Sequence, residues 1–244
     1  MPQLDECSNV ILSDLHLNSG ESQPDTVFGM LEFIERSKCR QIDIAGDVVD
    51  NPNLTGDERR IWDELVDLSH VKKVTIELGN HDDISGLPLG QMSVVPEHLF
   101  SVSNVTFMVE HGHPHDPSLN HPAKWWVRNL MKLERPAKKF PRFYHDWVYM
   151  SPTWLQNDEA MAQSALNKAK AREVDVVICG HAHRPFYRSN GRVAYYNLGS
   201  CCEGENPYRQ STLGTIGYDG QFKLHGFSVD GEYQGIVNPA QLVC

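Results

Sequence analysis

The sequence predicts an α/β fold, and three observations support this prediction. Five short apolar runs have the character of buried strands, and they lie at residues 10–12, 41–45, 74–78, 106–109 and 174–179. Between the first three runs, apolar residues recur at helical spacing, which indicates helices that cover a sheet. After residue 180 the pattern changes to short β segments separated by turns that contain glycine, at 193–197, 212–218 and 222–229.

Three helices are predicted from the spacing of apolar residues. Residues 27–34 and 61–68 each present one apolar face, so we expect both helices to pack on the first sheet. An alanine-rich stretch at 156–173 is expected to form a third helix. The short β segments after residue 180 are expected to form a second, antiparallel sheet.

Length and composition are typical of one intracellular domain. The chain has 244 residues, and no linker divides it, so 1–244 is expected to be a single domain. It has no apolar run of about 18 residues that would span a membrane. Residues 1–7 contain two acids and no base, unlike a signal peptide. The six cysteines show no CxxC spacing and are expected to be reduced thiols. A cytoplasmic location is therefore predicted.

Potential metal ligands follow each of the five strand-like runs. The segments are Asp14-Leu15-His16, Gly46-Asp47-Val48-Val49-Asp50, Gly79-Asn80-His81-Asp82, His111-Gly112-His113 and Gly180-His181-Ala182-His183. Carboxylate, imidazole and amide groups suit divalent ions, and the absence of cysteine from these segments argues against a thiolate zinc site. Because ligands bind at the carboxyl ends of strands in open α/β sheets, we expect these donors to meet at one rim.

Each segment alone also has an ordinary structural explanation. Asp14 and Asp47 could cap a helix or a turn, Asn80 could form an Asx turn, and the glycines could be turn residues. A single DxH or HxH pattern is weak support for a metal site. The five segments in this order, each after an apolar run, favour a metal centre. Surface or core roles are expected for His70, His98, His121, His145 and His225. His113 and His115 flank a proline next to Asp116 and could contact the substrate or support the metal ligands, but loop histidines of this kind are usually solvated.

The five segments resemble the signature of the calcineurin-like metallophosphoesterase superfamily. That signature reads DxH, GDxxD, GNH(D/E), Hx and GHxH, and the resemblance extends over residues 14–200. It implies a four-layer αββα sandwich of two mixed β-sheets, with the metal ions at its rim. It also implies a specificity cap, which we expect at 114–155 as an insertion in the domain.

Matching the signature position by position implies a ligand set for two metal ions. The ligands of the first ion would be Asp14, His16, Asp47 and His183. The ligands of the second ion would be Asp47, Asn80, His111 and His181. Asp47 would therefore bridge the two ions. Manganese is the expected metal, and iron(II), zinc or nickel would also suit this donor set.

The chemistry of such a centre is phosphoester or pyrophosphate hydrolysis. Two divalent ions about 3.5 to 4 Å apart can share a water, lower its pKa towards about 7 and clamp the phosphoryl oxygens, so a bridging hydroxide becomes the nucleophile. The resemblance gives His81 the role of an acid or transition-state donor, which typically contributes about 10² to 10⁴ in rate. Asp50 would orient His81 and favour its protonated form.

A basic and aromatic stretch within the predicted cap suggests the class of substrate. Residues 121–145 hold seven bases and one acid, interleaved with aromatic residues, in a chain of net charge −10. This stretch would suit a small phosphorylated ligand such as a nucleotide, a nucleotide sugar or a lipid-linked phosphate, and it fits a solvated helix on the core equally well. Single-stranded nucleic acid would also suit it. However, the rest of the chain holds 31 of the 32 acids and 15 of the 22 bases, which repels a polyanion.

Further segments suggest a subfamily and leave alternatives. Residues 13–17, 180–185 and 196–200 resemble bacterial UDP-2,3-diacylglucosamine hydrolases, which cleave a pyrophosphate. In the best-known members arginine stands at the position of His81, and no acyl-chain groove can be read from the cap. Cyclic-nucleotide or general phosphodiesterases share the five motifs, and a non-catalytic metal-binding scaffold is the alternative from another class. Peripheral membrane contact is compatible with the sequence, which carries no signal for oligomeric state.

Overall fold

The computed structural model describes residues 7–20, 22–120, 152–201 and 211–238, which contain twelve β-strands. The strands are β1 (Cys7–Leu12), β2 (Gln41–Ile44), β3 (Lys73–Glu77), β4 (Ser93–Val95), β5 (His98–Val102), β6 (Val105–Glu110), β7 (Val176–Cys179), β8 (Pro185–Ser189), β9 (Ala194–Leu198), β10 (Ser211–Gly217), β11 (Phe222–Phe227) and β12 (Tyr233–Val237). Most of the predicted cap, including the basic stretch at 121–145, lies outside the described residues. So do the N-terminal residues 1–6.

The strands form two mixed sheets that pack face to face. The first sheet has the order β12-β11-β10-β1-β2-β3-β4 and the second has the order β5-β6-β7-β9-β8. Strands β1, β2, β3 and β4 run parallel, as do β6, β7 and β9, while the remaining pairs are antiparallel. Residues of both sheets, among them Ile11, Ala45, Phe107 and Ile178, share one buried cluster between the sheets.

Helices cover the outer face of each sheet and complete the four-layer sandwich. The helices are α1 (Pro24–Arg36), α2 (Gly56–Ser69), the short α3 (Pro117–Asn120) and α4 (Pro152–Ala171). Buried residues of α1 and α2, such as Ile34 and Trp62, pack in one cluster with the outward side chains of β1, β2 and β3. The small residues of α4 instead pack against β6 and β7. The predicted fold class is confirmed, and no described helix is long and apolar enough to cross a membrane.

The expectation that the late β segments form a separate antiparallel sheet was wrong. Strand β9 pairs in parallel with β7 inside the second sheet. Strand β10 pairs with β1 instead, so β10, β11 and β12 extend the first sheet. The alternation of apolar and polar residues along a strand predicts which face is buried, but it does not predict which strand it pairs with. The amide of Cys201 already donates to the carbonyl of Ser13 at 3.1 Å, so the chain turns towards β1 directly after β9.

A buried ion network holds the end of β6, where the predicted ligand His111 follows. Glu110 is 2% exposed and accepts hydrogen bonds from His115 Nε2 at 2.8 Å and from Lys168 Nζ at 2.6 Å. Burial opposes ionisation of Glu110, but these two partners outweigh it and lower its pKa. His115 also contacts Ser164 Oγ at 2.9 Å, so the network ties β6 to α4. His115 therefore has a structural role, whereas the sequence indicated mainly a solvated loop residue.

Replacing Glu110 with glutamine should destabilise the protein by about 2 to 4 kcal/mol, because a buried ion pair loses its charged acceptor. Because the folded-state pKa is lowered, the stabilisation is fully present above the ordinary carboxyl pKa of about 4.3, begins to decline below it, and is lost once the pH has fallen through the lower folded-state pKa. Urea unfolding of both proteins at pH 7 and pH 4 measures this. The control is Glu32→Gln, since Glu32 forms an exposed pair with Arg36 and should change stability by less than about 1 kcal/mol. Equal stability of Glu110→Gln and wild type would contradict the role of the network.

Candidate metal centre

All five predicted segments lie where a strand ends, and they converge from both sheets. Asp14, Asp47 and Asn80 follow the parallel strands β1, β2 and β3 of the first sheet. His111 and His181 follow the parallel strands β6 and β7 of the second sheet. Backbone hydrogen bonds join these loops, for example from Asp14 N to Gly46 O at 3.0 Å and from Gly180 N to His111 O at 3.0 Å.

The first group of side chains consists of Asp14, His16 and His183, whose potential ligand atoms lie within 4.8 Å of one another. The Nε2 atoms of His16 and His183 are 3.2 Å apart. His183 Nε2 is also 3.1 Å from Asp14 Oδ1. Donors at about 2.1 Å from a tetrahedral ion are about 3.4 Å from each other, so the group has the spacing of a ligand set.

The second group consists of Asp47, His111 and His181, and Asp47 connects it to the first. The ligand atoms of this group also lie within 4.8 Å of one another. Asp47 Oδ2 is 3.2 Å from His111 Nε2 and 3.8 Å from His16 Nε2. One carboxylate oxygen therefore lies between imidazole nitrogens of both groups, which is the position of a bridging ligand.

Hydrogen bonds at the far side of three imidazoles decide which nitrogen faces the centre. His16 Nδ1 is 2.7 Å from Asp50 Oδ1, and His111 Nδ1 is 2.8 Å from the carbonyl of Ala45. His181 Nε2 is 2.9 Å from Asp116 Oδ2. Metal-binding histidines commonly donate their other N–H to a carboxylate or carbonyl in this way. The nitrogens left for ions are thus Nε2 of His16 and His111 and Nδ1 of His181.

A buried atom without a hydrogen bond supports the fit of these residues to metal ions. His111 Nε2 is inaccessible to solvent and has no hydrogen-bond partner among the described residues, although it faces Asp47. A buried polar nitrogen in this state costs free energy unless something binds it. A divalent cation at this position would satisfy it and would separate the clustered carboxylates of Asp14 and Asp47.

The comparisons with known proteins agree with this geometry. The sequence model of the calcineurin-like phosphoesterase superfamily domain matches residues 8–217 of this chain. The chain belongs to the calcineurin-like phosphoesterase superfamily. No curated protein matches the chain significantly.

Solved structures of the superfamily fold are similar to the whole chain at low sequence identity. The phosphoesterase Yfce from E. coli is 19% identical with a TM-score of 0.52, and the match covers 95% of this chain and 98% of that one. Vps29 from Entamoeba histolytica, in complex with Zn²⁺, is 15% identical with a TM-score of 0.54, covering 94% and 97%. Vacuolar protein sorting 29 from Cryptosporidium parvum is 13% identical with a TM-score of 0.53, covering 94% of each chain. At these identities the likeness shows the fold.

The phosphoesterase signature loops adopt a backbone that few residues tolerate. Five predicted ligands have positive φ angles, between 48° and 69°. These five are Asp14, His16, Asp47, His181 and His183. Non-glycine residues in this left-handed region are uncommon and cluster at functional sites, although Asp and His enter it more readily than most. These loops therefore keep an unfavourable backbone conformation that directs the side chains to the centre.

The electrostatics of the centre reflect close carboxylate and imidazole neighbours. Burial opposes ionisation of Asp47, but the close imidazole of His111 and further contacts outweigh it, so its pKa is lowered. Burial lowers the pKa of His111, but Asp47 and Asp14 outweigh burial and raise it to about 9. A ligating imidazole must be neutral, so an ion that binds at neutral pH has to displace a proton from His111.

Asn80 and Asp82 occupy the same loop with different roles. The carboxylate of Asp82 accepts hydrogen bonds from four backbone amides. One is the amide of Gly79, at 2.7 Å, and the other three belong to residues 47–49, at 2.6 to 3.1 Å. His81 N donates to Asp47 Oδ1 at 2.8 Å. Asn80 lies between these two anchored amides, and its side chain is exposed. The loop backbone at Asn80 is therefore fixed against Asp47 and Asp82.

His81 and Asp50 lie together as the predicted catalytic pair. His81 Nδ1 is 3.4 Å from Asp50 Oδ2, and the His81 side chain is 46% exposed, so a substrate can reach it. The Asp50 contact is the main cause of the raised pKa of His81. Burial opposes ionisation of Asp50, but His16 and His81 outweigh it and lower its pKa to about 2. Asp50 therefore serves two imidazoles, whereas the sequence suggested only His81.

Two further residues lie at the centre: Asp116, which was not predicted, and His113, for which a role near the ligands was only the lesser expectation. Asp116 orients His181, and it also accepts from Asn157 Nδ2 at 3.0 Å. His113, expected to be solvated, has its ring centroid 5.4 Å from that of His111, and burial lowers its pKa to about 4. Its Nδ1 is buried without a partner among the described residues. The Asp116 carboxylate near the HPH sequence was the only signal that could have indicated these roles.

Replacing Gly79 with alanine should weaken metal binding by about 10- to 100-fold, the usual effect of disturbing a residue behind the ligands. A Cβ at Gly79 would lie 2.1 Å from Asp47 Oδ1 and 2.4 Å from Asp47 N, so the bridging carboxylate must move. Competitive titration against a chromogenic chelator measures the affinity. The control is Gly191→Asn, since Gly191 has open space and asparagine tolerates its φ of 85°. Wild-type affinity in Gly79→Ala would contradict the placement of Asp47.

Proposed function

We propose that this chain is a dinuclear metal-dependent phosphoesterase. The observation that carries the proposal is the position of Asp47 Oδ2, 3.2 Å from His111 Nε2 and 3.8 Å from His16 Nε2. A carboxylate oxygen between two histidine-containing groups is the arrangement that holds two ions close enough to share one water. The proposed ligands are Asp14, His16, Asp47, Asn80, His111, His181 and His183.

The residues of the chain supply orientation and charge for this reaction. When bound, two divalent ions would lower the pKa of a shared water and neutralise the charge of a phosphoryl group. Asp50, Ala45 and Asp116 hold three of the imidazoles with the correct nitrogen towards the centre. Such fixed second contacts typically account for about 10- to 100-fold in metal affinity or activity. Manganese is our first choice of ion.

His81 is positioned to assist the leaving group. Its side chain is 46% exposed beside the first group, with ring centroids of His81 and His16 5.5 Å apart. Asp50 next to Nδ1 raises the pKa of His81, which favours the protonated ring at neutral pH. Nε2–H is then free to donate to the oxygen that leaves phosphorus. This arrangement favours an enzyme over a metal-binding scaffold, which would need no proton donor.

For the substrate, we propose the pyrophosphate of a nucleotide sugar, as in UDP-2,3-diacylglucosamine. The support is the sequence resemblance at 13–17, 180–185 and 196–200. In the structure, Asn197 donates to the carbonyl of Gly180 and Ser200 Oγ donates to the carbonyl of Asp14 at 3.2 Å. These resembling residues hold the signature loops in shape. They therefore support a shared architecture of the centre, and cyclic-nucleotide phosphodiester hydrolysis remains the alternative activity.

Metal-dependent turnover is the first test. The metal-stripped protein should hydrolyse bis(p-nitrophenyl) phosphate only after manganese is added, and Asp47→Ala should lose at least about 10³-fold in kcat/KM because both groups lose their shared ligand. The absorbance of the released p-nitrophenolate measures the reaction rate. Folded, manganese-loaded wild-type protein that does not turn over this substrate would instead favour the scaffold.

The acid role of His81 predicts a dependence on the leaving group. His81→Asn should keep its bound metal but lose about 10² to 10⁴ in kcat on alkyl phosphodiesters, whose leaving oxygen needs a proton. The loss should be much smaller on p-nitrophenyl esters, whose leaving group departs without one. Comparison of the two substrate classes, with metal content measured in parallel, separates the acid role from a ligand role. Equal losses on both classes would show that His81 does not donate a proton.

A substrate panel decides between the two proposed activities. Manganese-loaded protein is assayed with UDP-sugars, cyclic nucleotides and phosphomonoesters at equal concentration. We expect the highest kcat/KM on a UDP-sugar, with UMP as a product. Preference for cyclic nucleotides would support the alternative activity and leave the proposed metal centre intact.

A further inference from the structure

A second polar cluster lies between the two sheets, outside the residues assigned to phosphoester hydrolysis. In each strand of the first sheet, every second side chain points towards the second sheet. Ile11 and Ala45 are two of these side chains, because both pack in the cluster between the sheets. Asp43 is two residues before Ala45 and therefore points to the same face, and Thr75 lies beside Asp43 on the neighbouring strand. Glu77 follows on the same face as Thr75. This face should be apolar, yet it carries two carboxylates that are 0% exposed.

His98 of the second sheet closes this cluster from the opposite side. Its Nδ1 is 2.6 Å from Asp43 Oδ1 and 3.9 Å from Glu77 Oε1. Asp43, Glu77 and His98 each offer one ligand atom, and these atoms all lie within 4.8 Å of one another. Gln41 Nε2 contacts both oxygens of Asp43 at 2.9 Å. The donors thus come from three strands of two sheets and meet at one point.

Glu77 is the member of the cluster that lacks a partner. Both of its carboxylate oxygens are buried without a hydrogen bond within the described residues, and so is Thr75 Oγ1. Asp43, by contrast, is contacted by Gln41, His98 and also Asn9 Nδ2 at 3.2 Å. A buried carboxylate with no donor is strongly unfavourable unless it binds a proton or a cation. Three unsatisfied oxygen atoms on one face therefore require an explanation.

We propose that Asp43, Glu77 and His98 form a third metal site, which binds a divalent transition-metal ion such as zinc and lies apart from the phosphoesterase centre. Two carboxylates and one imidazole are a suitable donor set for such an ion. Thr75 Oγ1 is available as a further oxygen donor. A half-turn of the Gln41 amide would bring its Oε1 to the same point. The role of the site is structural, since it would join β2 and β3 to β5 across the interface of the two sheets.

The competing explanation is a proton on Glu77. Burial and the adjacent charge of Asp43 raise the pKa of Glu77, which describes the protein without the ion. A proton would neutralise one carboxylate but would leave at least one acceptor of Glu77 unsatisfied, whereas a cation is shared by Glu77, Asp43 and His98 at once. A cation would displace the proton from Glu77, and affinity should therefore rise with pH.

An ion can reach this cluster from solvent. The His98 side chain is 15% exposed, and its Nε2 is 3.1 Å from Nζ of the exposed Lys73. Lys73 contacts Nε2 of His98, whereas Nδ1 faces Asp43 and Glu77. The charge of Lys73 therefore lies on the side of the imidazole ring opposite to the two carboxylates. His98 is thus both a ligand and the entrance to the site.

Metal counting tests this site independently of the catalytic proposal. Metal-stripped protein is incubated with excess zinc, desalted, and analysed by inductively coupled plasma mass spectrometry. Glu77→Gln should bind one ion fewer than wild type. The same loss of one ion should occur when Glu77→Gln is added to Asp47→Ala, which already lacks the bridging ligand of the phosphoesterase centre. A loss in this background cannot come from the ions of the catalytic proposal, whether or not that proposal is correct.

The matched control is Glu97→Gln, one position from His98. Glu97 is paired with Lys168 and Arg172 rather than facing the cluster, so its replacement should not change the ion count. His98→Gln serves as a second test variant if Glu77→Gln fails to fold, as judged by circular dichroism. In the Asp47→Ala background, zinc should also raise the melting temperature, and this rise should be absent in the Glu77→Gln and His98→Gln versions. An unchanged ion count in folded Glu77→Gln or His98→Gln would overturn the proposal.

Discussion

The carboxylate of Asp82 is the constraint on which the arrangement of the centre depends. It accepts hydrogen bonds from the backbone amides of Asp47, Val48, Val49 and Gly79, so the loops after β2 and β3 cannot move independently. Asp47 is thereby held at a φ of 51°. Its Oδ1 is then occupied by the amide of His81, which leaves Oδ2 between the two histidine groups. The position of Oδ2, the atom proposed to bridge two ions, is therefore set by backbone amides.

Much of the fold and most of the centre could be predicted from the sequence. The apolar runs before Asp14, Asp47, Asn80, His111 and His181 are short and uniform, which is typical of parallel strands buried on both faces. Donors placed directly after such strands must meet at one edge. The convergence of the five segments followed from this, and the structure places them accordingly. Partner choice among the later strands did not follow, because antiparallel pairing of β10 with β1 depends on contacts far apart in sequence.

Residues that act through other residues leave little pattern in the sequence. Asp116 orients His181, and Asp82 accepts hydrogen bonds from backbone amides that any residue could supply. Asp50 contacts His16 more closely than His81, at 2.7 Å against 3.4 Å, which a linear spacing cannot show. His98 had a surface or core role by default. Its closeness to Asp43 arises only when the second sheet packs over the first.

Backbone hydrogen bonds fix the shapes of the signature loops, and this has consequences for stability. Hydrogen bonds between backbone atoms, such as His16 N to Asp47 O at 2.9 Å, set the loop shapes without using the donor atoms of the side chains. Left-handed backbone at five ligands costs of the order of 1 kcal/mol each, less where Asp and His tolerate it. The crowded carboxylates of Asp14 and Asp47 add repulsion.

These costs fall on the folded protein without ions, whereas ion binding contributes on the order of 10 kcal/mol at a well-formed site of zinc-finger type. The strained loops are thus consistent with a centre that is selected for binding ions rather than for the stability of the ion-free fold. The same reasoning explains why Gly46, Gly79 and Gly180 lie against ligands, where a Cβ would be within 2.6 Å of a ligand or of Ser13.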